Sequence, residues 1–130
     1  MIVDTSALIA MISNEADGPK FALKLDEPEV VRMSSATYLE TSIVLDAQRK
    51  ASISAQLDDL ILDLGIVVEP VTFEQARIAR QAYSQYGKGN GHPAHLNFGD
   101  CFTYALARVK REPVLFKGDE FAHTDLRSAI

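Results

Sequence analysis

Cysteine is almost absent from this chain. Cys101 stands alone among 130 residues, so no internal disulfide can staple the fold, and a reducing compartment such as the cytoplasm is the expectation. No apolar run approaches the roughly 20 residues that a membrane-spanning helix needs. A secretory leader is not expected either, because Met1-Ile2-Val3-Asp4 brings in an acid at once where a basic region would stand. Low-complexity tracts and internal repeats are missing. Basic residues are in the minority, 13 Lys and Arg against 18 Asp and Glu, for a net charge of −5. That balance disfavours a protein that coats nucleic acid with a basic surface.

A hydrophobic fraction of 47% and a charged fraction of 24% lie in the globular range. The length suits one domain spanning residues 1–130. Ile2-Val3 reads as a short buried strand that stops at Asp4-Thr5-Ser6, three residues favoured at helix N-caps. The pattern then predicts helices from Ala7 to about Ser13 and from Gly18 to Leu25, and a strand from Val30 to Met33. From Thr37 to Lys50, the positions of Leu39, Ile43, Val44 and Ala47 predict a helix with one buried stripe. Ile53, Leu57, Leu60, Ile61 and Leu64 repeat at helical spacing until Gly65. Ile66-Val67-Val68 is a β-branched run typical of a buried strand.

Another helix is predicted over Phe73 to Tyr86, with Ala76, Ala79, Ala82 and Tyr83 on one side. Gly87 to Asn97 is the conspicuous loop, with three glycines and a proline. A helix from Phe98 to Lys110, a strand from Pro113 to Phe116 and a Gly118-Asp119 turn complete the chain. Alternating strands and helices predict an α/β fold, helices packed on both faces of a mainly parallel central sheet.

In such folds the carboxyl ends of the strands gather ligands. Asp4 follows the first strand, Glu40 lies in the first turn of the helix after the second, Asp100 opens the helix behind the Gly-rich loop, and Asp119 follows the last strand. Four acids far apart in sequence thus map to one edge of the sheet. Clustered like charges repel unless a hard cation sits among them, and an oxygen-only donor set favours Mg²⁺ or Mn²⁺ over zinc. Phosphodiester hydrolysis is the matching chemistry. Four carboxylates committed to metal would account for most of the net charge, and the metal would attract phosphate in place of Lys and Arg. Ser6, with Thr5 beside it, is placed to hold a carboxylate, a water or a phosphate oxygen. Each acid also has a plainer use. Asp4 can cap the helix after it, Thr37-Tyr38-Leu39-Glu40 fits a capping box, and Asn97-Phe98-Gly99-Asp100 is an acidic variant of one.

Taken together, these residues resemble the PIN-domain ribonucleases, and more closely the VapC toxins of bacterial toxin–antitoxin pairs. The likeness rests on Met1-Ile2-Val3-Asp4-Thr5-Ser6-Ala7-Leu8, on Glu40 within Ser34-Ser35-Ala36-Thr37-Tyr38-Leu39-Glu40-Thr41, on Gly99-Asp100-Cys101, and on Leu115-Phe116-Lys117-Gly118-Asp119-Glu120-Phe121. It covers essentially the whole chain. The resemblance implies a three-layer α/β/α PIN-like fold and Mg²⁺- or Mn²⁺-dependent endonucleolytic cleavage of RNA. It also implies a homodimer, and inhibition by a small cognate VapB-like antitoxin that fills the acidic groove. Asp4 and Asp100 carry over as main metal ligands, with Glu40 as a third acid. The fourth position departs from the family pattern, which sets an Asp three residues before a Phe, where this chain has Gly118. Asp119 is the expected fourth acid, with Glu120 and Asp125 as the alternatives.

His92 and His95 are spaced as zinc ligands can be, but Pro93 lies between them and no cysteine is near. Lys88 in the same loop, and Lys117 near the last strand, are candidate phosphate contacts. Tyr83 and Tyr86 are placed to stack bases or to pack, Arg77 and Arg80 to meet antitoxin carboxylates or solvent, and Cys101 to lie in the core. Two other functions stay in view. A metal-dependent phosphatase would share the acidic edge, although Asp4-Thr5-Ser6 lacks the second Asp of an aspartyl-phosphate motif. A non-catalytic α/β binding module would explain the missing acid at position 118.

Overall fold

The computed structural model describes residues 1–28 and 30–130. Four parallel strands form the sheet: β1 (Ile2–Val3), β2 (Arg32–Ser34), β3 (Val67–Glu69) and β4 (Val114–Leu115), in the order β3-β2-β1-β4. Around them lie α1 (Thr5–Ile12), α2 (Gly18–Leu25), α3 (Ser35–Asp46), α4 (Ala51–Leu64), α5 (Phe73–Tyr86) and α6 (Phe98–Lys110). A single 3₁₀ turn covers Phe121–His123. The expected parallel α/β architecture is what forms.

Strand alternation divides the core between the two faces of the sheet. Val3 and Leu115 join Leu8, Phe21, Leu25, Met33, Leu45 and Leu57 on one face. Ile2 and Val114, their immediate neighbours in sequence, join Leu106 and Ala107 of α6 on the other. Beyond them, α5 and α6 pack together through Ala79, Ala82, Tyr86, Cys101, Tyr104 and Ala105. Cys101 is buried there, as expected. Because all four strands run the same way, their carboxyl ends share one edge.

The local signals that end the strands also start the helices. Asp4 leaves β1 in extended backbone and caps α1, accepting from the Ser6 N–H. Ser34 caps α3 by accepting from the Ala36 N–H. α3 therefore starts before Thr37, and Glu40 lies too deep in the helix to close the capping box that Thr37 suggested. Asn97 and Asp100 do form a capping box at the head of α6. Gly65 ends α4 at φ 60°, a conformation that costs residues with a Cβ and suits glycine.

Two expectations are corrected. The stripe of Leu39, Ile43, Val44 and Ala47 faces outward: Leu39 is 59% exposed and Ile43 60% exposed, and Val44 and Ala47 are exposed as well. The side of α3 turned into the protein carries Thr37, Thr41 and Leu45. Helical period identified the helix but put the wrong face inside, because apolarity was taken as the sign of burial. Likewise Val67 and Val68 are each 40% exposed, since β3 is an edge strand paired with β2 alone. On α5, the buried residues are Gln75, Ala79, Ala82 and Tyr86, while Ala76 and Tyr83 are exposed.

The Gly-rich loop is anchored at its base. Lys88 N–H donates to Leu96 O at 2.8 Å and Leu96 N–H donates to Tyr86 O at 2.9 Å. Ala94 and Leu96 are fully buried, and the His92 ring packs edge-on against Tyr86. Burial of these residues offsets part of the cost of ordering a glycine-rich segment.

The inverted face of α3 has a direct test in chemical denaturation. Leu45→Ala is expected to cost about 2–5 kcal/mol, the range for a fully buried leucine. Leu39→Ala is expected to change monomer stability by less than about 0.5 kcal/mol. Equal losses would contradict the orientation described.

Candidate active site

Asp4 is the most deeply held acid of the sheet edge, 3% exposed. Its Oδ2 accepts from the Ser6 N–H at 3.0 Å and from Ser6 Oγ at 2.7 Å. Its Oδ1 accepts from Thr103 Oγ1 at 2.7 Å. Three neutral donors thus fix the carboxylate without neutralising it. Ser6 is engaged in both directions, because its hydroxyl also accepts the Lys117 N–H at 2.9 Å.

Glu40 reaches this edge from α3. Its Oε1 accepts from Thr5 Oγ1 at 2.5 Å. Its other oxygen lies against the Cα of Gly99, where an added Cβ would stand 1.7 Å from Oε2. Any Cβ at position 99 would push the Glu40 carboxylate out of this placement, which gives Gly99 a steric reason beside Asp100. Sequence reading placed Gly99 in a motif without supplying that reason.

Asp100 sits at the head of α6, accepting from the Asn97 N–H at 2.9 Å. Its carboxyl is pushed up to about 7, first by burial and then by the negative charges of Asp4, Glu120 and Glu40, against the opposing pull of the Asn97 N–H. Asp4, Glu40 and Glu120 thus all lie close enough for their charge to act on Asp100. Among the three candidates for a fourth acid, Glu120 is the one whose charge acts on Asp100. Asp119 is exposed on the same turn. Asp125 is used elsewhere: it accepts from Tyr104 Oη at 2.7 Å and pairs with Arg108 at 2.9 Å.

The other singled-out residues fall at the margin. The Lys117 side chain pairs with Glu15 and Asp17 in the α1–α2 connection, so the end of β4 is tied to α1 on both sides of the Lys117 backbone. Lys88 is exposed at the base of the loop. His92 Nδ1 accepts the Ala94 N–H at 3.1 Å, so that nitrogen is committed to the loop's own backbone. Thr41 and Thr103 are buried residues to which sequence reading assigned no role, and Thr37, expected to open a capping box, is buried as well. A threonine inside a helix points to a hydroxyl with a partner, but the local sequence does not say which partner.

Among the described residues, none of Asp4, Glu40, Asp100 or Glu120 is paired with Lys, Arg or His. Also among them, no three His, Cys, Asp or Glu side chains already stand in a ligating array, because Glu40 leans on Gly99 and Asp100 is turned to Asn97. The donor chemistry nevertheless fits a hard divalent cation: oxygen donors only, partly buried, with uncompensated negative charge. Beside Glu40 opens an apolar groove of about 410 Å³, lined by Leu39, Ile43, Val44, Phe98 and Phe102 among others.

The raised Asp100 carboxyl makes stability depend on pH. Between the ordinary value of 3.8 and about 7, the folded protein holds a proton that the unfolded chain has released. Stability of the metal-free protein therefore falls as pH rises through that window. Asp100→Asn keeps an acceptor for the Asn97 N–H and removes the charge. Its melting temperature is expected to exceed the parent's by several degrees at pH 8 and to match it at pH 4. A parent whose melting temperature rises steadily from pH 5 to pH 8, with no gain in the variant, would contradict this.

The model of the PIN domain matches residues 1–126. Ribonuclease VapC28 of Mycobacterium tuberculosis is 55% identical over 130 residues, covering 100% of this chain and 98% of that protein. Ribonuclease VapC42 of the same species is 47% identical over 129 residues, covering 99% and 98%. In fold, the chain is similar to Mycobacterium tuberculosis VapC20, described as a sarcin-ricin loop cleaving toxin, with a TM-score of 0.76, 21% identity and coverage of 96% and 95%. It is similar also to FitAcB from Neisseria gonorrhoeae, with a TM-score of 0.71, 20% identity and coverage of 98% and 94%. With the acidic edge of a parallel sheet, a family match over nearly its full length and relatives at half identity, this chain belongs to the PIN domain family.

Proposed function

We propose that this chain is a VapC-type toxin, one ribonuclease domain over residues 1–130, that hydrolyses RNA phosphodiester bonds at the edge formed by Asp4, Glu40 and Asp100. One observation carries the reading: Asp4 after β1, Glu40 in α3 and Glu120 after β4 all act on Asp100 at the head of α6, with no basic partner for any of the four among the described residues. Such an edge is costly unless a cation joins it. A bound Mg²⁺ or Mn²⁺ would supply an acidified water and screen the phosphate charge.

The chain's own part is to hold and aim these acids. Ser6 and Thr103 fix the Asp4 carboxylate from two sides. Thr5 and Gly99 seat Glu40. Asp100, which accepts from the Asn97 N–H, would give up the proton it holds in the metal-free state and offer its carboxylate to the cation. Glu120, exposed on the loop after β4, closes the edge as the fourth acid, with Asp119 one residue away. Lys117, tied to Glu15 and Asp17, braces this loop in preference to meeting phosphate.

The same geometry suits an antitoxin. An apolar groove that ends at Glu40 accepts a segment with apolar side chains and a basic residue that reaches the acids, so that inhibitor and substrate compete for one site. The outward residues Leu39, Ile43, Val44 and Phe98 are the lining of this groove and go to the antitoxin, which leaves the homodimer to another face of a cytoplasmic protein that meets both RNA and antitoxin.

The purified protein is expected to cut RNA in Mg²⁺ or Mn²⁺ and to stop in excess chelator. Asp4→Asn and Asp100→Asn should each lower the rate at least about 100-fold while remaining folded, since removal of a ligand exceeds the typical loss from its outer partners. Folded variants that cut as fast as the parent would refute the assignment. Glu120→Gln is expected to slow cleavage more than Asp119→Asn does; the reverse order would move the fourth acid to Asp119.

A further inference from the structure

Beneath Asp4 the hydroxyls of two buried threonines form a chain of fixed direction. A carboxylate only accepts, so Thr103 Oγ1 spends its one proton on Asp4 Oδ1 at 2.7 Å. The Thr37 hydroxyl lies 3.3 Å from that of Thr103, and with the Thr103 proton already committed, Thr37 must be the donor. Order runs one way, from Thr37 through Thr103 to Asp4. Thr103 is fully buried, Thr37 is 2% exposed and Asp4 is 3% exposed, so water does not compete for these bonds.

A comparable support stands under Glu40. Thr5 donates to Glu40, while Thr41 Oγ1 stands 3.1 Å from Thr5 Oγ1 and 2.8 Å from the Thr37 carbonyl, with one proton to share. The two supports meet in α3, where Thr37 and Thr41 occupy successive turns of the inward face. This explains why α3 turns polar residues inward and its aliphatic stripe outward.

We infer that Thr103, backed by Thr37, is the positioning residue that presents Asp4 to a divalent cation. It pins Oδ1 from the protein side while Ser6 pins Oδ2, so the carboxylate keeps its orientation as the cation approaches. Thr103 lies one helical turn beyond Asp100 on α6, so the helix that supplies one acid also orients the other. A rotation of α6 would move both together. The inference rests on the metal-dependent reading of the site.

The test is Mn²⁺ binding, followed by calorimetry, alongside melting of the metal-free protein. Thr103→Val keeps the shape of the side chain and removes the donor. It is expected to weaken Mn²⁺ binding about 10-fold or more, as loss of an outer partner to a metal ligand typically does. Thr103→Ser, which restores the hydroxyl, is expected to return affinity to within about twofold of the parent. Thr103→Ala removes the hydroxyl without adding bulk and carries the same expectation should the valine variant lose its fold. Hydroxyl-free variants that melt earlier yet bind Mn²⁺ as the parent does would overturn the inference, since a purely structural threonine would behave that way. A parent that binds no Mn²⁺ would overturn both this inference and the metal-dependent function. A parent that binds, with affinity unmoved in every variant, would overturn the inference alone.

Discussion

Mutual repulsion among the acids at the carboxyl edge of the sheet is the constraint on which the rest of this structure depends. Parallel strands make the edge, and the loops that leave it bring Asp4, Glu40, Asp100 and Glu120 into one field. The protein answers that repulsion with neutral donors. Ser6, Thr103, Thr5 and the Asn97 N–H hold the carboxylates, and burial, with the charges of Asp4, Glu120 and Glu40 added to it, keeps a proton on Asp100 up to about pH 7. Placing lysines or arginines there would have relieved the strain in charge and closed the site to a cation. Stability is thus reduced at the point where function needs negative charge.

The same constraint shapes α3. Its inward face must reach the buried acids with hydroxyls, so Thr37 and Thr41 take positions that leucine or isoleucine would fill in an ordinary core helix. The displaced aliphatic residues line the groove beside Glu40. A helix that is polar inside and apolar outside loses burial on folding, and it regains that burial only against a partner. The hydroxyls that hold the acids on one side of α3 and the apolar groove on the other are therefore two consequences of a single orientation.

Much of this was legible in the sequence. β-branched runs, cap residues and breakers located the α-helices and strands; α2, α5 and α6 fell on the expected residues, α6 with its start marked by the Asn97 cap. Asp4 and Asp100 were legible because each sits where a strand or loop becomes a helix. The face of α3 was not, since hydrophobic period reports which side is apolar and says nothing of whether that side meets core or partner. Glu120 and Asp119 differ by one residue in a turn where Gly118 has φ 101°, and only the three-dimensional path of that turn separates them. Thr103 was silent for another reason. Its significance lies in a contact with a residue 99 positions away, and no local pattern encodes it.

The central claim is that these acids form one cation site, and it is tested most directly by crystals of the protein soaked in Mn²⁺ and measured for anomalous scattering. The account predicts a Mn²⁺ peak in direct contact with the carboxylates of Asp4 and Asp100, at roughly 2.0–2.3 Å. A peak seated instead on Asp125 or at the His92 loop, or no peak at the sheet edge at saturating Mn²⁺, would contradict it.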